Sequence, residues 1–131
     1  DQSLSKKVMF INKLPYEEMM QYTLNSNVGV SLDKDTNINY KFSLPNKIFD
    51  YMKAGIPILA TDLVEVSNVI AKYEVGLSIK DLEPDTIISG IEKLSKQQIE
   101  GVFANNFSKA LFDLNWEKES EVLIESYKRL W

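Results

Sequence analysis

Asn46, Lys47 and Asp50 are the residues of this sequence whose types and spacing best suit binding of an anionic ligand. They follow Pro45, a residue favoured at the start of a helix, where backbone N–H groups lack partners and attract anions. A lysine in the first turn opposes the helix dipole, and a phosphate nearby would explain its presence there. Asp50 lies one turn further along the same face. This order predicts donors and a cation for a diphosphate, followed by a carboxylate for the hydroxyls of a ribose.

A simpler interpretation of the same residues is a solvated helix face. Lys47 and Asp50 would then form a local ion pair worth a few tenths of a kcal/mol, and the residues alone leave both interpretations open. Asp62 is interpreted as the N-cap of the following helix rather than as a ligand contact. Asp33 and Asp35, which flank Lys34, are interpreted as solvated loop residues rather than as a magnesium site.

The elements that must position these residues alternate between short β-rich runs and helical patterns, which predicts an α/β fold. Strands are expected at residues 8–11, 28–32, 58–61 and 76–79, with an irregular loop at residues 33–43. The helix that begins at Pro45 should bury Ile48, Phe49 and Met52, and should end at Gly55 before Pro57. Other helices are expected at residues 14–25, 64–73, from Pro84 onwards, 97–111 and 116–130. The expected buried faces of the helices after Pro84 include Ile87, Ile88, Ile91 and Leu94, and then Val122, Leu123, Tyr127 and Leu130.

Composition excludes several classes of function. The 131 residues suffice for one domain, and the formal net charge of -4 argues against a nucleic-acid partner. The sequence has no Cys and no His, so disulfides, thiolate chemistry and imidazole bases are excluded. No run approaches the roughly 20 apolar residues of a membrane span, and residues 1–7 lack the apolar core of a signal peptide. These features favour a cytoplasmic protein.

Residues 45–51 (PNKIFDY) and 54–62 (AGIPILATD) resemble the signature of the group 1 glycosyltransferases. That signature has Pro, a small polar residue, Lys, an aliphatic residue, Phe, an acid and Tyr, followed by Ala-Gly-x-Pro and a short apolar strand ending in Asp. The resemblance continues in order along the chain at residues 10–19, 27–30, 73–79 and 116–117. The sequence departs from the signature at Phe42, where many members have a second acid, and at Asp50, where they usually have Glu.

The resemblance implies the C-terminal, donor-binding half of a GT-B-fold enzyme, with a Rossmann-like three-layer parallel sheet of about four strands flanked by helices. It also implies a hexosyltransferase-like activity that is metal-independent and retaining, acts on a UDP- or GDP-linked sugar without a further cofactor, and serves bacterial surface polysaccharide synthesis. Asp50 would bind ribose, and Lys47 would be the catalytic cation on the leaving phosphate. Ser43, Leu44 and Asn46 would donate N–H groups to the diphosphate, whereas Lys13 and Leu14, with Tyr16, would lie near the base.

The same resemblance implies that residues 1–131 are one domain of a larger enzyme. The acceptor domain, which would bind a sugar or a lipid-linked acceptor, and two β-α units with a basic Arg/Lys pair are expected upstream. Such a fragment should be inactive alone. It is expected either to dimerise or to re-pair its strands, because those units would separate the strand at residues 8–11 from the next one. The intact enzyme would be cytoplasmic or peripheral at the inner face of the membrane.

Two alternatives remain open from the sequence. One is another enzyme on the same scaffold, a nucleotide-sugar 2-epimerase, which would consume its donor without an acceptor. The other is a non-catalytic α/β binding module such as a receiver domain. A receiver would need an acidic cluster after its first strand, where this chain has Asn12 and Lys13.

Overall fold

The computed structural model describes residues 7–130 and has an α/β fold built on a small parallel sheet. The three strands are β1 (Gly29–Ser31), β2 (Ile58–Thr61) and β3 (Gly76–Ile79), in the order β1-β2-β3. The helices are α1 (Tyr16–Leu24), α2 (Ile38–Lys41), α3 (Asn46–Ala54), α4 (Val64–Tyr73), α5 (Pro84–Ile99), α6 (Asn106–Asp113) and α7 (Trp116–Lys128). The predicted α/β class is therefore confirmed, with three strands in the described part of the chain.

The central strand β2 is the middle of the hydrophobic core. Ile58, Leu59 and Ala60 are all fully buried, and such a run is typical of a parallel strand covered on both faces. On one face, α5 approaches so closely at Gly90 that a Cβ there would lie 2.7 Å from a methyl carbon of Leu59. A larger residue at this position in α5 would need Leu59 to move.

Helix α3 connects β1 to β2 and shows the predicted burial. Ile48 and Met52 are fully buried, and Phe49 packs partly buried against the same core. The helix ends at Gly55, whose φ of 69° is the left-handed conformation that glycine adopts without steric cost. The edge strand β1 is fastened to this helix because the Tyr51 hydroxyl donates to the Val30 carbonyl at 3.1 Å.

The prediction of a strand at residues 8–11 is wrong. These residues form no strand, and their apolar side chains are exposed, up to 95% for Phe10. An apolar run becomes a strand only where a neighbouring edge pairs with it, and within residues 7–130 the only pairs formed are β1–β2 and β2–β3. Residues 7–130 therefore form three strands rather than four.

The second half of the chain differs from the predicted helices in two places. A continuous helix over residues 97–111 does not form, because the chain leaves α5 at Ile99 and turns through Gly101, which has a φ of 71°. Ile88, expected in the buried face of α5, is 53% exposed, while Gly90 takes the inward position. The loop predicted for residues 33–43 contains α2, whose first amides are capped by the Asn37 side chain.

Helix α7 forms as predicted, but its apolar face does not pack against the core. Val122, Leu123, Tyr127 and Leu130 were expected to face inward, yet they are 49% to 76% exposed. None of the residues of α7 is buried within the described part of the chain. An apolar stripe predicts an amphipathic helix, whereas burial also requires a facing surface.

Candidate functional site

The first turn of α3 presents backbone N–H donors. It comes after β1, α2 and the loops that join them. Ile48 donates its amide to the Pro45 carbonyl at 3.0 Å, so the amides of Asn46 and Lys47 precede the first bond of this turn. No side chain of the described residues caps the helix. In the preceding loop, the Ser43 amide and hydroxyl are both directed at the Tyr40 carbonyl, at 3.3 and 3.0 Å. Of the amides expected to bind a diphosphate, that of Ser43 is therefore already hydrogen-bonded, whereas those of Leu44 and Asn46 have no partner among residues 7–130.

The ammonium group of Lys47 forms an ion pair outside α3 rather than with Asp50. Its Nζ lies 2.8 Å from Oδ2 of Asp33, which also accepts a hydrogen bond from the hydroxyl of the buried Ser31 at 2.9 Å. The hydrogen bond from Lys47 is the main reason that the pKa of Asp33 lies below its usual value, with a smaller contribution from Ser31 and an opposing one from burial. The interpretation of Asp33 as a merely solvated loop residue is therefore wrong.

Asp50 accepts a hydrogen bond from a hydroxyl group across the helix pair α1–α3. The Tyr16 hydroxyl donates to Oδ1 of Asp50 at 2.8 Å, and this bond is the main cause of a raised pKa for the Tyr16 phenol. The Lys53 ammonium lies 5.5 Å from the centre of the Tyr16 ring. Asp50 is thus held in a position where it can accept a hydrogen bond from an alcohol or a phenol.

Asn46 and Asp50 line a cleft of about 860 Å³ between α1, α3 and the start of α7, named here the Trp116 cleft. Its walls are mostly apolar, with a few polar groups, which is the usual make-up of a small-molecule site. The residues that line it are Tyr16, Met19, Leu44, Asn46, Phe49, Asp50, Leu114, Asn115, Trp116 and Glu119.

The first turn of α7 places an aromatic plane and a carboxylate in this cleft. Asn115 is the N-cap of α7, and its side chain accepts from the Lys118 amide at 2.9 Å and donates to the Phe112 carbonyl at 2.9 Å. Trp116 is therefore fixed at the first position of the helix, although its side chain is 71% exposed. Glu119 follows three residues later, on the same side of the helix.

Lys13 and Leu14 lie in a different cleft from Asn46 and Asp50. They form, with Ile11 and Asn12, one wall of a cleft of about 690 Å³ whose opposite wall includes residues 28–30 of the sheet edge. Met19 lines both clefts. The structure thus brings together Leu44, Asn46 and Asp50, with Lys47 on the adjoining surface next to Asp33 and with Lys13 and Leu14 apart from them.

Asp62 is not the N-cap of α4. Leu63 occupies that position without a side-chain hydrogen bond, and the Asp62 carboxylate instead accepts from the Ser67 hydroxyl at 2.6 Å. Ser67 also lies 3.1 Å from the hydroxyl of Ser78 on β3. The acid therefore ties the end of β2 to the first turn of α4 through a side chain rather than through a cap.

Sequence reasoning missed the ion pair of Asp33 and the positions of Trp116 and Glu119 in the lining of the Trp116 cleft. Asp33 lies two residues after the last residue of β1, and an acid just beyond the carboxyl end of a parallel strand is a signal that could have been used. Trp116 and Glu119 are three residues apart after an Asn that can cap a helix, but nothing in the sequence indicates that α7 starts beside α3. That proximity arises from the long-range path of the chain through α5 and α6.

Two wider properties of the described residues bear on function. Residues 7–130 contain no group of three or more His, Cys, Asp or Glu side chains that could hold a metal ion. None of their helices combines the length and the apolar character needed to cross a membrane.

Comparison with known protein families, with curated proteins and with solved structures finds no significant match to this chain.

Proposed function

We propose that this chain is the donor-binding part of a glycosyltransferase that uses a nucleoside-diphosphate sugar. The proposal rests on the resemblance of residues 45–51 and 54–62 to the group 1 glycosyltransferase signature, together with the geometry of α3. A Rossmann-like, GT-B architecture is part of the proposal. So are the acceptor domain, which would supply the second half of the active site, and a role in the synthesis of a surface polysaccharide.

The observation that carries the proposal is the position of Asp50 relative to the start of α3. Asp50 already accepts a hydrogen bond from a hydroxyl group, that of Tyr16, at 2.8 Å. It lines the same cleft as Asn46, which lies four residues earlier, or about 6 Å along the helix axis. A ribose hydroxyl could replace the phenol of Tyr16 while the diphosphate lies at the amides of the first turn.

Lys47 supplies the positive charge in this arrangement. Its side chain is 38% exposed and lies at the same helix end, so its ammonium group can turn from Asp33 to a phosphate oxygen. As the bond between the sugar and the diphosphate breaks, negative charge grows on the leaving phosphate. The helix amides and the Lys47 ammonium would stabilise that charge, which is the main requirement for transfer without a metal ion.

Isothermal titration calorimetry on two variants tests this function. We expect GDP or UDP to bind the chain, and Lys47→Ala to weaken binding of both the nucleotide and inorganic pyrophosphate by about tenfold, because a charge-assisted hydrogen bond is lost. Asp50→Ala should weaken binding of the nucleotide by a similar factor but leave binding of pyrophosphate unchanged, since Asp50 serves the ribose.

The matched controls are Lys109→Ala on α6 and Glu65→Ala on α4, which remove an exposed and a partly exposed charge outside α3 and outside the lining of both clefts. They should bind nucleotide as the unaltered protein does. Absence of nucleotide binding, or equal affinities for all four variants, would contradict the proposed function.

A further inference from the structure

The structure assigns the guanine nucleoside of a GDP-linked donor to the Trp116 cleft, with Trp116 as the stacking plane and Glu119 as the acceptor for the edge of the base. This inference rests on the proposed function and names its substrate class. The charges of the cleft are the first observation that supports it. The residues that line it include two carboxylates, Asp50 and Glu119, and no Lys or Arg among those described. A diphosphate beside Asp50 and Glu119 would be repelled, so the neutral part of the ligand must lie beside these two carboxylates.

The orientation of a nucleoside in this cleft follows from the two ends of the site. The amides that would hold the diphosphate lie at Asn46, and Asp50, which lines the same cleft, is one turn further along α3. A ribose at Asp50 therefore directs its base away from the phosphates, towards the wall formed by α7. This places the base at Trp116 rather than beside Lys13, which lines the other cleft.

Trp116 is suited to stack on a base because its indole lines the cleft and remains 71% exposed. Base–aromatic stacking tolerates every base and therefore does not by itself select one. Selection requires a polar group beside the ring. Glu119 is that group, since it lies one helical turn from Trp116 and lines the same cleft.

A carboxylate only accepts hydrogen bonds at neutral pH, so it favours a base with adjacent donors. Guanine offers two parallel donors, its ring N1–H and its exocyclic amino group, which match the two oxygens of a carboxylate. Uracil offers one N–H between two carbonyl oxygens, and those oxygens would be repelled by Glu119. The cleft should therefore prefer GDP to UDP and to ADP.

The test measures nucleotide affinity by calorimetry and the emission of Trp116 by fluorescence, in a Trp131→Phe background that leaves one tryptophan. GDP should bind about tenfold more tightly than UDP or ADP and should quench Trp116, whereas pyrophosphate should not. Glu119→Gln should reduce the preference for GDP by about tenfold, since a paired contact to one base edge is lost. Glu117→Gln removes the same charge from a residue that does not line the cleft, and it should keep the preference for GDP.

Trp116→Leu should weaken all three nucleotides by about tenfold, and Trp116→Phe should restore part of the affinity because it restores an aromatic face. Circular dichroism would show that each variant is folded. If nucleotides bind but GDP has no advantage, or if Glu119→Gln behaves as Glu117→Gln does, the assignment of guanine is overturned while the proposed function stands. If no nucleoside diphosphate binds, the proposed function fails and this inference fails with it.

Discussion

Helices α3 and α7 are both amphipathic in sequence, and only one of them buries its apolar face. In α3, Ile48 and Met52 are fully buried between the sheet and neighbouring helices. In α7, Leu123 is 49% exposed and Tyr127 is 61% exposed. The polar sides differ as well, since Lys47 of α3 forms a 2.8 Å ion pair whereas the Arg129–Glu125 pair at the end of α7 spans 3.9 Å and is more exposed.

The difference shows that helix formation and helix burial have separate causes. Local sequence features fix both helices, namely Pro45 and Gly55 for α3, and the Asn115 cap for α7. Burial depends on where the chain goes next. Helix α3 leads directly into β2 and must lie on the sheet, whereas α7 follows another helix, α6, and is joined directly to none of the three strands described. Only the first arrangement forces an apolar face onto the core.

The largest expected effect is that of truncating the buried face of α3. Ile48→Ala should lower the free energy of unfolding by about 2–5 kcal/mol, because it removes buried methyl and methylene groups and leaves a cavity in the core. Chemical denaturation followed by circular dichroism measures the change. A loss below about 1 kcal/mol would mean that this face packs more loosely than its full burial indicates, and the contrast with α7 would fail.

The elements around the central strand could be predicted from the sequence because their signals are local. Strands at residues 58–61 and 76–79, and the helix between them, form where patterns of apolar residues and glycine placed them. The strand expected at residues 8–11 has an equally clear apolar pattern, yet it stays exposed. A strand needs a pairing partner, and no local pattern specifies one.

The candidate site shows the same division between local and long-range information. Asn46 and Asp50 share one cleft because they are four residues apart on one helix. The ion pair between Lys47 and Asp33 and the hydrogen bond between Tyr16 and Asp50 join residues 14 and 34 positions apart. Nothing in the spacing of these residues indicated that an acid from the loop after β1 would neutralise the lysine at the helix start.

The ion pairs of α3 and α7 provide the next comparison, in which we expect a moderate change in the free energy of unfolding. Asp33→Asn should cost at most about 1 kcal/mol of unfolding free energy at pH 7, since both partners are partly exposed and solvent screens the pair. Glu125→Gln in α7 should cost close to nothing, because that pair is longer and more exposed.

The contribution of Asp33 should also depend on pH. Its pKa in the folded protein is lowered, mainly by the hydrogen bond from Lys47, from the ordinary value of 3.8 for an aspartate. The pair therefore stabilises the fold fully above that value, and this stability is lost as the pH falls through the lower folded pKa. Denaturation at pH 7 and at about pH 3 should show the difference between the unaltered protein and Asp33→Asn shrinking in acid. A difference that grows in acid would contradict the ion pair.

The smallest expected effect is that of truncating the apolar face of α7, and it is the most direct challenge to the comparison. Leu123→Ala removes a side chain of similar size to that of Ile48 but from a position that is 49% exposed. Alanine is at least as good a helix former as leucine, so helix propensity does not add a loss. The change in unfolding free energy should stay within about 0.5 kcal/mol, as for most surface substitutions.

Measurement over a range of protein concentrations distinguishes packing within one chain from association of chains. A loss above about 1.5 kcal/mol at every concentration would mean that α7 folds back onto the core. A loss that appears only at high concentration would mean that a second chain covers this face, because the stability of an associating protein rises with its concentration.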